Sequence, residues 1–340
     1  MNSPLLRVQN LQVSFAVKGH GDYRLRAVAG VSFDLQPGES LGIAGESGCG
    51  KSTLGRAILG LTRSDGGEIH LRGERIDGYS ATELRRVRRH MQIIFQDPTS
   101  SLDPRISVGA SIGEPLQSFE PTVSRAARRE RILAAALQVG LTADLLERYP
   151  QELSGGQCQR VAIARAIIAR PALVVCDEAV SALDVSIQAQ IVNLLRNLRD
   201  ELPLSLLFIS HNLAVIKSLC QRVLVMYLGR VVESASTAGL FDNPRHPYTR
   251  ALLDAVPVAD PQVQRLRGTA PLAGDPPSPI APPPGCVFHP RCPHAIERCR
   301  IEAPVLESVA NAQVACHRWR ELPAWNGVID RASSQPSAAL

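Results

Sequence analysis

Residues 45–52 read GESGCGKS and lie between a short apolar run, Leu41 to Ala44, and a segment with helical spacing, 53–61. The octet fits the pattern G-x-x-x-x-G-K-[ST], in which small residues let backbone N–H groups turn inward around phosphate oxygens at a helix N-terminus. Lys51 then offers its charge to the β and γ phosphates, and the Ser52 hydroxyl is a ligand for Mg²⁺. The stretch predicts a P-loop between a strand and a helix.

The sequence around this P-loop predicts a doubly wound α/β core with an antiparallel β subdomain and a helical insertion. Apolar and polar residues alternate before the P-loop, whereas the later strands are apolar throughout, as in a parallel sheet covered on both faces. The predicted elements are strands at 5–15, 28–35, 41–44, 173–176, 205–209 and 223–226, helices at 53–61, 81–90, 123–139, 142–148 and 185–202, a strand-and-turn segment at 65–77 and a loop at 95–108.

Composition narrows the class of protein. The 340 residues are 45% hydrophobic and 20% charged, which is typical of a globular chain and excludes disorder, collagen and coiled coil. No window approaches the ~18 apolar residues of a membrane span, and residues 1–10 lack the apolar run of a signal peptide. We therefore expect a cytosolic chain whose eight cysteines stay reduced. The net charge of +5 gives no support for a nucleic-acid partner.

Two carboxylates end one of the predicted strands. Residues 173–178 read LVVCDE, an apolar strand followed by Asp177 and Glu178. In a parallel sheet the carboxyl edge is where ligands bind. Asp177 is suited to hold Mg²⁺, and Glu178 to polarise the attacking water as a general base. The alternative reading is a pair of carboxylates that cap the following helix.

Four further stretches, together with these two motifs, identify a family. Residues 153–157 read LSGGQ, Gln96 lies in IIFQDP, residues 181–184 read SALD, and His211 ends FISH. In this order and at these separations they resemble the motifs of the ATP-binding subunit of an ABC transporter. The resemblance covers Leu5 to about Arg250 and implies a P-loop NTPase (RecA-like) core that binds ATP and Mg²⁺.

The resemblance also implies which residues form the site. Family members work as head-to-tail dimers, so that each ATP lies between one subunit's P-loop and the partner's LSGGQ loop. Adenine stacking uses an aromatic residue near the first strands, for which Phe15 is the first candidate and Tyr23 the second. The expected nucleotide-binding residues are Phe15, Gly45, Glu46, Ser47, Gly48, Cys49, Gly50, Lys51, Ser52, Thr53, Gln96, Ser154, Gly155, Gly156, Gln157 and Asp177. Those expected to hold Mg²⁺ are Ser52, Gln96 and Asp177, and the catalytic residues are Glu178, His211 and Gln96.

Within the family the chain resembles the F-type ATPase subunits of bacterial dipeptide, oligopeptide and glutathione importers. The resemblance is carried by GESGCGKST, QDPTSSLDPR, DEAVSALDVS, MYLGRVVE and NPRHPYTRALLDAVP. Two positions depart from the usual family pattern: Ala179 replaces the proline after the glutamate, as also in glutathione importers, and Cys158 replaces an arginine.

Such a subunit would hydrolyse ATP to drive peptide uptake. It would lie peripherally on the cytoplasmic face of the inner membrane, with a sister ATPase, two membrane permease subunits and an external solute-binding protein. The rivals are a soluble ABC-type ATPase, which would normally fuse two cassettes or carry a long coiled coil, and a catalytically dead cassette, which would be expected to lose Lys51, Glu178 or His211. The sequence shows neither pattern.

The expected organisation is four segments: 1–95, with the β subdomain and the first part of the core; 96–170, the helical subdomain; 171–242, the second part of the core; and 243–340, a C-terminal extension. Within the extension, 275–285 (DPPSPIAPPPG) predicts a stiff linker that separates a cysteine-bearing tail from the core. The tail holds Cys286, Cys292, Cys299 and Cys316. Family resemblance suggests a [4Fe–4S] cluster; four thiolates suit zinc equally by count, and reduced, packed thiols are the third reading.

Overall fold

The structure is a computed structural model that describes residues 3–17, 23–256 and 274–325. Its strands are β1 (Leu6–Ala16), β2 (Arg24–Leu35), β3 (Ser40–Ala44), β4 (Gly66–Leu71), β5 (Glu74–Arg75), β6 (Met91–Ile94), β7 (Leu173–Asp177), β8 (Ser205–Ile209), β9 (Arg222–Tyr227), β10 (Arg230–Ser236), β11 (Glu307–Val309) and β12 (Ala312–Val314). Its α-helices are α1 (Lys51–Ile58), α2 (Ala81–Arg88), α3 (Val108–Phe119), α4 (Arg125–Gln138), α5 (Gly155–Ile167), α6 (Val185–Glu201), α7 (Leu213–Leu219), α8 (Thr237–Asp242), α9 (Pro247–Asp254) and α10 (Glu297–Ile301). None of the helices in these residues combines the length and apolarity that a bilayer crossing demands.

The strands form two sheets. The smaller is antiparallel with the order β2-β1-β4-β5, and the larger has the order β11-β12-β10-β9-β3-β8-β7-β6. From β9 to β6 the neighbours of the larger sheet are parallel, whereas β10, β11 and β12 are added antiparallel. This is the doubly wound core with an antiparallel β subdomain that the sequence predicts.

The parallel strands are buried on both faces, which explains their continuous apolar sequence. Along β7, Val174 and Cys176 pack into one hydrophobic cluster, while Leu173 and Val175 pack into the other. The second cluster also contains the inward residues of the antiparallel sheet, so this sheet covers one face of the larger sheet. The parallel part of the larger sheet is thus held between two apolar layers.

The helical part differs from its prediction in two places. Helix α3 (Val108–Phe119) was not predicted, because Pro115 lies inside it and Gly109 and Gly113 weaken the helical signal. A Cβ at Gly113 would lie 2.8 Å from Ile132 Cδ1, so the glycine permits close packing of α3 on α4. The helix predicted at 142–148 is instead a 3₁₀ turn, Ala143–Glu147.

The cysteine-bearing tail is joined to the core, and the prediction that it stands apart is wrong. Residues 274–285 contain neither helix nor strand, as a linker should, but the chain beyond them returns to the large sheet. There β12 pairs with β10, matching Ala312 to Ala235. The Phe288 ring lies 5.3 Å from that of Tyr227 and 5.4 Å from that of Tyr248. Because the tail has too few apolar residues for a core of its own, it completes the core of the ATPase.

This arrangement predicts that Phe288→Ala destabilises the whole chain. Phe288 is 1% exposed, and truncation of a buried phenylalanine costs about 3–5 kcal/mol. The measurement is urea unfolding followed by tryptophan fluorescence, since Trp319 and Trp325 both lie in the extension. Ile301→Ala, at a side chain 72% exposed, is the matched control and should change the free energy of unfolding by less than about 0.5 kcal/mol. Equal effects of the two substitutions would contradict the shared core.

Candidate active site

Four strand ends bring the predicted site residues to one edge of the large sheet. Strand β3 runs into the P-loop, β7 into Glu178, β8 toward His211 and β6 toward Gln96. The register pairs Asp177 with Ile209 across β7 and β8, and Cys176 with Ile94 across β7 and β6. Glu178 and Gln96, one and two residues further on, therefore leave the sheet at the same level. This is the carboxyl edge where parallel sheets bind their ligands.

The P-loop occupies residues 45–50, and its glycines are required by close backbone contacts. Gly50 has φ 103°, and a Cβ there would lie 2.0 Å from the carbonyl oxygen of Ala27 in β2. Gly45 has φ 149°, and its Cβ would lie 2.3 Å from the carbonyl oxygen of Met226. A side chain at either position would force the backbone away from its neighbours. Ser47 and Gly48 are exposed at the tip of the loop, and Cys49 is buried beneath it.

Helix α1 begins at Lys51 and carries the next predicted residues in its first turn. Lys51 Nζ donates to the carbonyl oxygens of Gly45 and Glu46, 2.8 Å away in each case. Nζ also lies 4.0 Å from Glu178 Oε1, although Lys51 is only 3% exposed. The ammonium group is thus held over the loop, beside the N–H groups of the helix start, where phosphate oxygens are favoured. Ser52 and Thr53 follow it on α1.

Ser52 and Asp177 lie together. Ser52 Oγ donates a 2.6 Å hydrogen bond to Asp177 Oδ1, and the guanidinium of Arg56 lies 3.6 Å from Asp177 Oδ2. Asp177 is 2% exposed. A hydroxyl and a carboxylate side by side are hard oxygen ligands of the kind Mg²⁺ prefers, so these two residues fit the ion. Gln96, the third residue expected at Mg²⁺, instead hydrogen bonds to Glu178 in this structure.

Glu178 is the centre of the site. Its Oε2 accepts a 3.2 Å hydrogen bond from Gln96 Nε2 and lies 3.5 Å from His211 Nδ1. Its backbone is in the left-handed region, with φ 49°, and its carbonyl accepts hydrogen bonds from the N–H and Oγ of Ser181. A non-glycine residue in this conformation is strained and persists where its surroundings hold it. With this backbone conformation the Glu178 carboxylate lies 4.0 Å from Lys51 Nζ.

The LSGGQ loop forms the start of α5. Ser154 Oγ accepts from the N–H of Gln157, while Gln157 Oε1 accepts from the N–H of Ser154, which together make a capping box. Ser154 and Gly155 are exposed. A Cβ at Gly156 would lie 2.9 Å from Ile187 Cγ2 of α6. Among the described residues no hydrogen bond or ion pair joins this loop to the P-loop of the same chain.

Cys158, which departs from the family pattern, points into the core. It is 1% exposed, and its thiol donates to the carbonyl oxygen of Pro150 at 3.5 Å. Burial raises the pKa of this thiol above its usual value. The exposed face of the loop therefore keeps the Ser154 hydroxyl and the free N–H groups of the helix start.

The two aromatic candidates for adenine stacking both lie at the surface. Phe15, near the end of β1, is 44% exposed and faces Leu25 of β2 across the sheet. Tyr23, just before β2, is 63% exposed. Either ring offers a free face to a base, and the choice between them stays a prediction.

One contact at this site was not predicted from the sequence. Arg291, in the cysteine-bearing tail, donates from Nη1 and Nη2 to the two carboxylate oxygens of Glu46, at 2.7 and 3.0 Å. The Tyr248 hydroxyl accepts a 2.8 Å hydrogen bond from the N–H of Glu46. Arg291 and Glu46 are 245 positions apart, and no local pattern relates residues at that distance.

The four tail cysteines lie close enough for their thiols to influence one another's pKa. Burial raises the pKa of Cys292 and of Cys316 to about 11 in each case, and the pKa of Cys286 above its usual value. The nearby thiols of Cys286, Cys292 and Cys299 raise that of Cys316 further. No group of three or more His, Cys, Asp or Glu side chains in the described ranges is arranged to hold a metal ion. The iron–sulfur prediction is therefore not supported by this arrangement.

Comparisons with known proteins agree with the fold and the motifs. The family described as "ABC transporter" matches residues 28–181, and the region described as "Oligopeptide/dipeptide transporter, C-terminal region" matches residues 232–299. Two solved structures titled as dimeric structures of the ATP-binding cassette MJ0796, one in a post-hydrolysis state with ADP and Pi, have a TM-score of 0.63 and 27% identity. They cover 68% of this chain and 98% of their own. The predicted P-loop NTPase fold is confirmed.

Curated relatives match the chain along most of its length. "Oligopeptide transport ATP-binding protein OppF" of Escherichia coli is 50% identical over 318 residues, which are 92% of this chain and 95% of that protein. The protein of the same name from Haemophilus influenzae is also 50% identical, over 92% of this chain and 96% of its own length. "Di/tripeptide transport ATP-binding protein DppF" of Pseudomonas aeruginosa is 46% identical over 88% of this chain and 91% of its own. With this identity and this site, the chain belongs to the ABC transporter family, as one of its ATP-binding ATPase subunits.

Proposed function

We propose that this chain powers the import of di- and oligopeptides, or of related small peptides such as glutathione, into a bacterial cell. The observation that carries the ATPase part of the proposal is the convergence of Lys51, Gln96 and His211 on the carboxylate of Glu178. The match of residues 232–299 to the C-terminal region of oligopeptide and dipeptide transporters supports peptides as the cargo. The relatives described above are all named as transport proteins, which favours transport over the soluble alternative.

The geometry supports a role for each residue in hydrolysis. The P-loop N–H groups and Lys51 hold the β and γ phosphates, as a positioning and charge-stabilising cradle. Glu178 orients and polarises the attacking water, while Gln96 and His211 fix the direction of its carboxylate. Ser52 and Asp177 would hold Mg²⁺, with Gln96 as the third expected ligand, and the bound ion would neutralise charge on the phosphates.

The second half of each site would come from another chain. The exposed Ser154 hydroxyl and the N–H groups of Gly155 and Gly156 at the start of α5 offer donors to a γ phosphate. We propose a sister ATPase as the partner, with two permease subunits and an external solute-binding protein. The complex would hold this chain peripherally on the cytoplasmic face of the inner membrane. The dimeric cassettes described above support the pairing of ATPases.

Glu178→Gln should abolish turnover while preserving ATP binding, because the amide cannot accept the proton of the attacking water. Loss of a general base lowers kcat by about 10²–10⁴-fold. Phosphate release measures turnover, and light scattering with ATP tests for a trapped dimer of this chain with its partner ATPase. Glu201→Gln, at an exposed carboxylate on α6, is the matched control and should behave as wild type. Normal turnover by Glu178→Gln would remove the assignment of the base.

Gln96→Ala should depress transport more than ATP binding. Gln96 contacts Glu178, and the loop that follows it is tied to α5 by the hydrogen bond from Arg165 Nη1 to the carbonyl oxygen of Ser101, 2.9 Å. The loop can thus relate the state of the phosphates to the helical subdomain. The measurement is uptake of labelled trialanine by the assembled transporter, beside ATP affinity. Gln9→Ala, on the exposed face of β1, is the control, and unchanged uptake by Gln96→Ala would contradict the route.

Metal binding by the tail stays a proposal, supported by family resemblance and by the gathering of Cys286, Cys292, Cys299 and Cys316 in one small segment. Four thiolates would have to form from thiols whose burial now opposes ionisation. Anaerobic purification should give a brown protein that absorbs near ~400 nm, with the colour lost in Cys292→Ser. A colourless protein that contains stoichiometric zinc would instead indicate a zinc site in place of the cluster. A colourless protein without iron or zinc would leave only packed, reduced thiols.

A further inference from the structure

The P-loop residue Glu46 is held from three directions. Its carboxylate receives both Nη groups of Arg291, its N–H donates to the Tyr248 hydroxyl, and its carbonyl oxygen accepts from Lys51 Nζ. Arg291 and Tyr248 come from the segment that follows the second half of the core, and Lys51 is the first residue of α1. Glu46 therefore joins the C-terminal extension to the lysine that binds phosphate.

The Arg291 side chain is placed for this contact by packing. It is 5% exposed, whereas that of Glu46 is 27% exposed. Its Nη1 also lies 3.5 Å from the hydroxyl of Tyr227. The rings of Tyr227 and Tyr248 meet at 4.7 Å, and Phe288 packs against both. Because this aromatic packing already restricts the guanidinium, formation of the two-pronged ion pair costs little additional conformational entropy. A single geometry of the pair is therefore favoured.

The ion pair between Arg291 and Glu46 compensates a negative charge beside the phosphate site. A carboxylate in the P-loop would repel the negative phosphates of a nucleotide unless a positive group compensates it. Arg291 supplies that group at the Glu46 carboxylate, while Lys51 is held by the Glu46 carbonyl oxygen. The loop also contains glycines at φ 149°, 79° and 103°, so holding it in its binding shape costs conformational entropy that an anchor at Glu46 reduces.

We propose that Arg291 is a positioning residue for nucleotide binding: by pairing with Glu46 it cancels the carboxylate's charge and holds the P-loop in shape. The C-terminal extension is then a working part of the ATP site. The inference rests on ATP binding by the P-loop and is independent of which solute the transporter carries.

The test is ATP affinity of the full-length chain, measured with a fluorescent ATP analogue. Arg291→Met should raise the Kd about 10-fold or more, since it leaves a charged hydrogen-bonding group unpaired beside the phosphates. Arg291→Lys keeps the charge and loses the fork, so its Kd should rise by about threefold. The loss of ATP affinity in Arg291→Met should be greater at low salt than at high salt, because dissolved ions screen the repulsion between the unpaired Glu46 carboxylate and the phosphates.

A double substitution separates charge pairing from simple packing. In Glu46→Gln with Arg291→Met the repelling carboxylate is gone, so the Kd should return most of the way to that of Glu46→Gln alone. If Arg291 had only a structural role, the losses of ATP affinity in the two single variants would add in the double variant. They would also parallel the fall in the midpoint of thermal unfolding. In the assembled transporter, Arg291→Met should raise KM for ATP and leave kcat nearly unchanged, because Arg291 does not touch the reacting atoms.

Arg298→Met is the matched control, since it breaks a two-pronged pair with Glu302 in the same extension, at side chains 58% and 53% exposed. Its ATP affinity should equal that of wild type. Wild-type affinity in a folded Arg291→Met, or a loss that Glu46→Gln does not relieve, would overturn the inference. If Arg291→Met does not fold, Arg291→Lys decides, and an unchanged Kd in that variant would count against it. Failure of the wild-type chain to bind ATP would count against the proposed function instead.

Discussion

The parallel pairing of β3, β8, β7 and β6 is the constraint on which the site depends. These strands are apolar on both faces, so a shift in register would bury polar groups or expose apolar ones. The observed register brings Ile43, Ile209 and Asp177 to one level. The turns that follow can then carry a loop, an imidazole and a carboxylate into a common space. No single motif of the sequence makes this site, because each supplies one group at one strand end.

The second dependence is on the tail. Its few apolar side chains do not form a core of their own; they finish the core of the ATPase, where Phe288 closes an aromatic cluster with Tyr227 and Tyr248. That cluster lies directly behind the P-loop, since Tyr248 accepts the N–H of Glu46. Packing and charge act together here. The aromatic cluster positions Arg291, and Arg291 holds the P-loop through its ion pair with Glu46. A segment that looks like an appendage in the sequence is thereby next to the nucleotide site.

The sequence predicted roughly half of the described strands and helices, and all of the residues that meet at Glu178. Such predictions succeed where the signal is local, as in the P-loop octet or the apolar run of β7 followed by two carboxylates. The failures have physical causes. Helix α3 contains Pro115 and two glycines, and is stabilised by packing on α4 and α5 rather than by propensity. Strands β11 and β12 are three residues each, too short for any periodic pattern.

The sequence by itself determined the chemistry: a phosphate cradle, a carboxylate base and an LSGGQ loop at a helix start, because each is a short run of neighbouring residues that a local pattern identifies. Only the tertiary structure decided how these runs meet. Gln96 turns from the expected Mg²⁺ ligands to Glu178, since β6 and β7 end at the same level. Arg291 contacts Glu46, 245 positions away, because the tail packs its apolar residues into the core of the ATPase. Such contacts depend on which apolar surfaces the rest of the core leaves exposed, and no local sequence pattern records them.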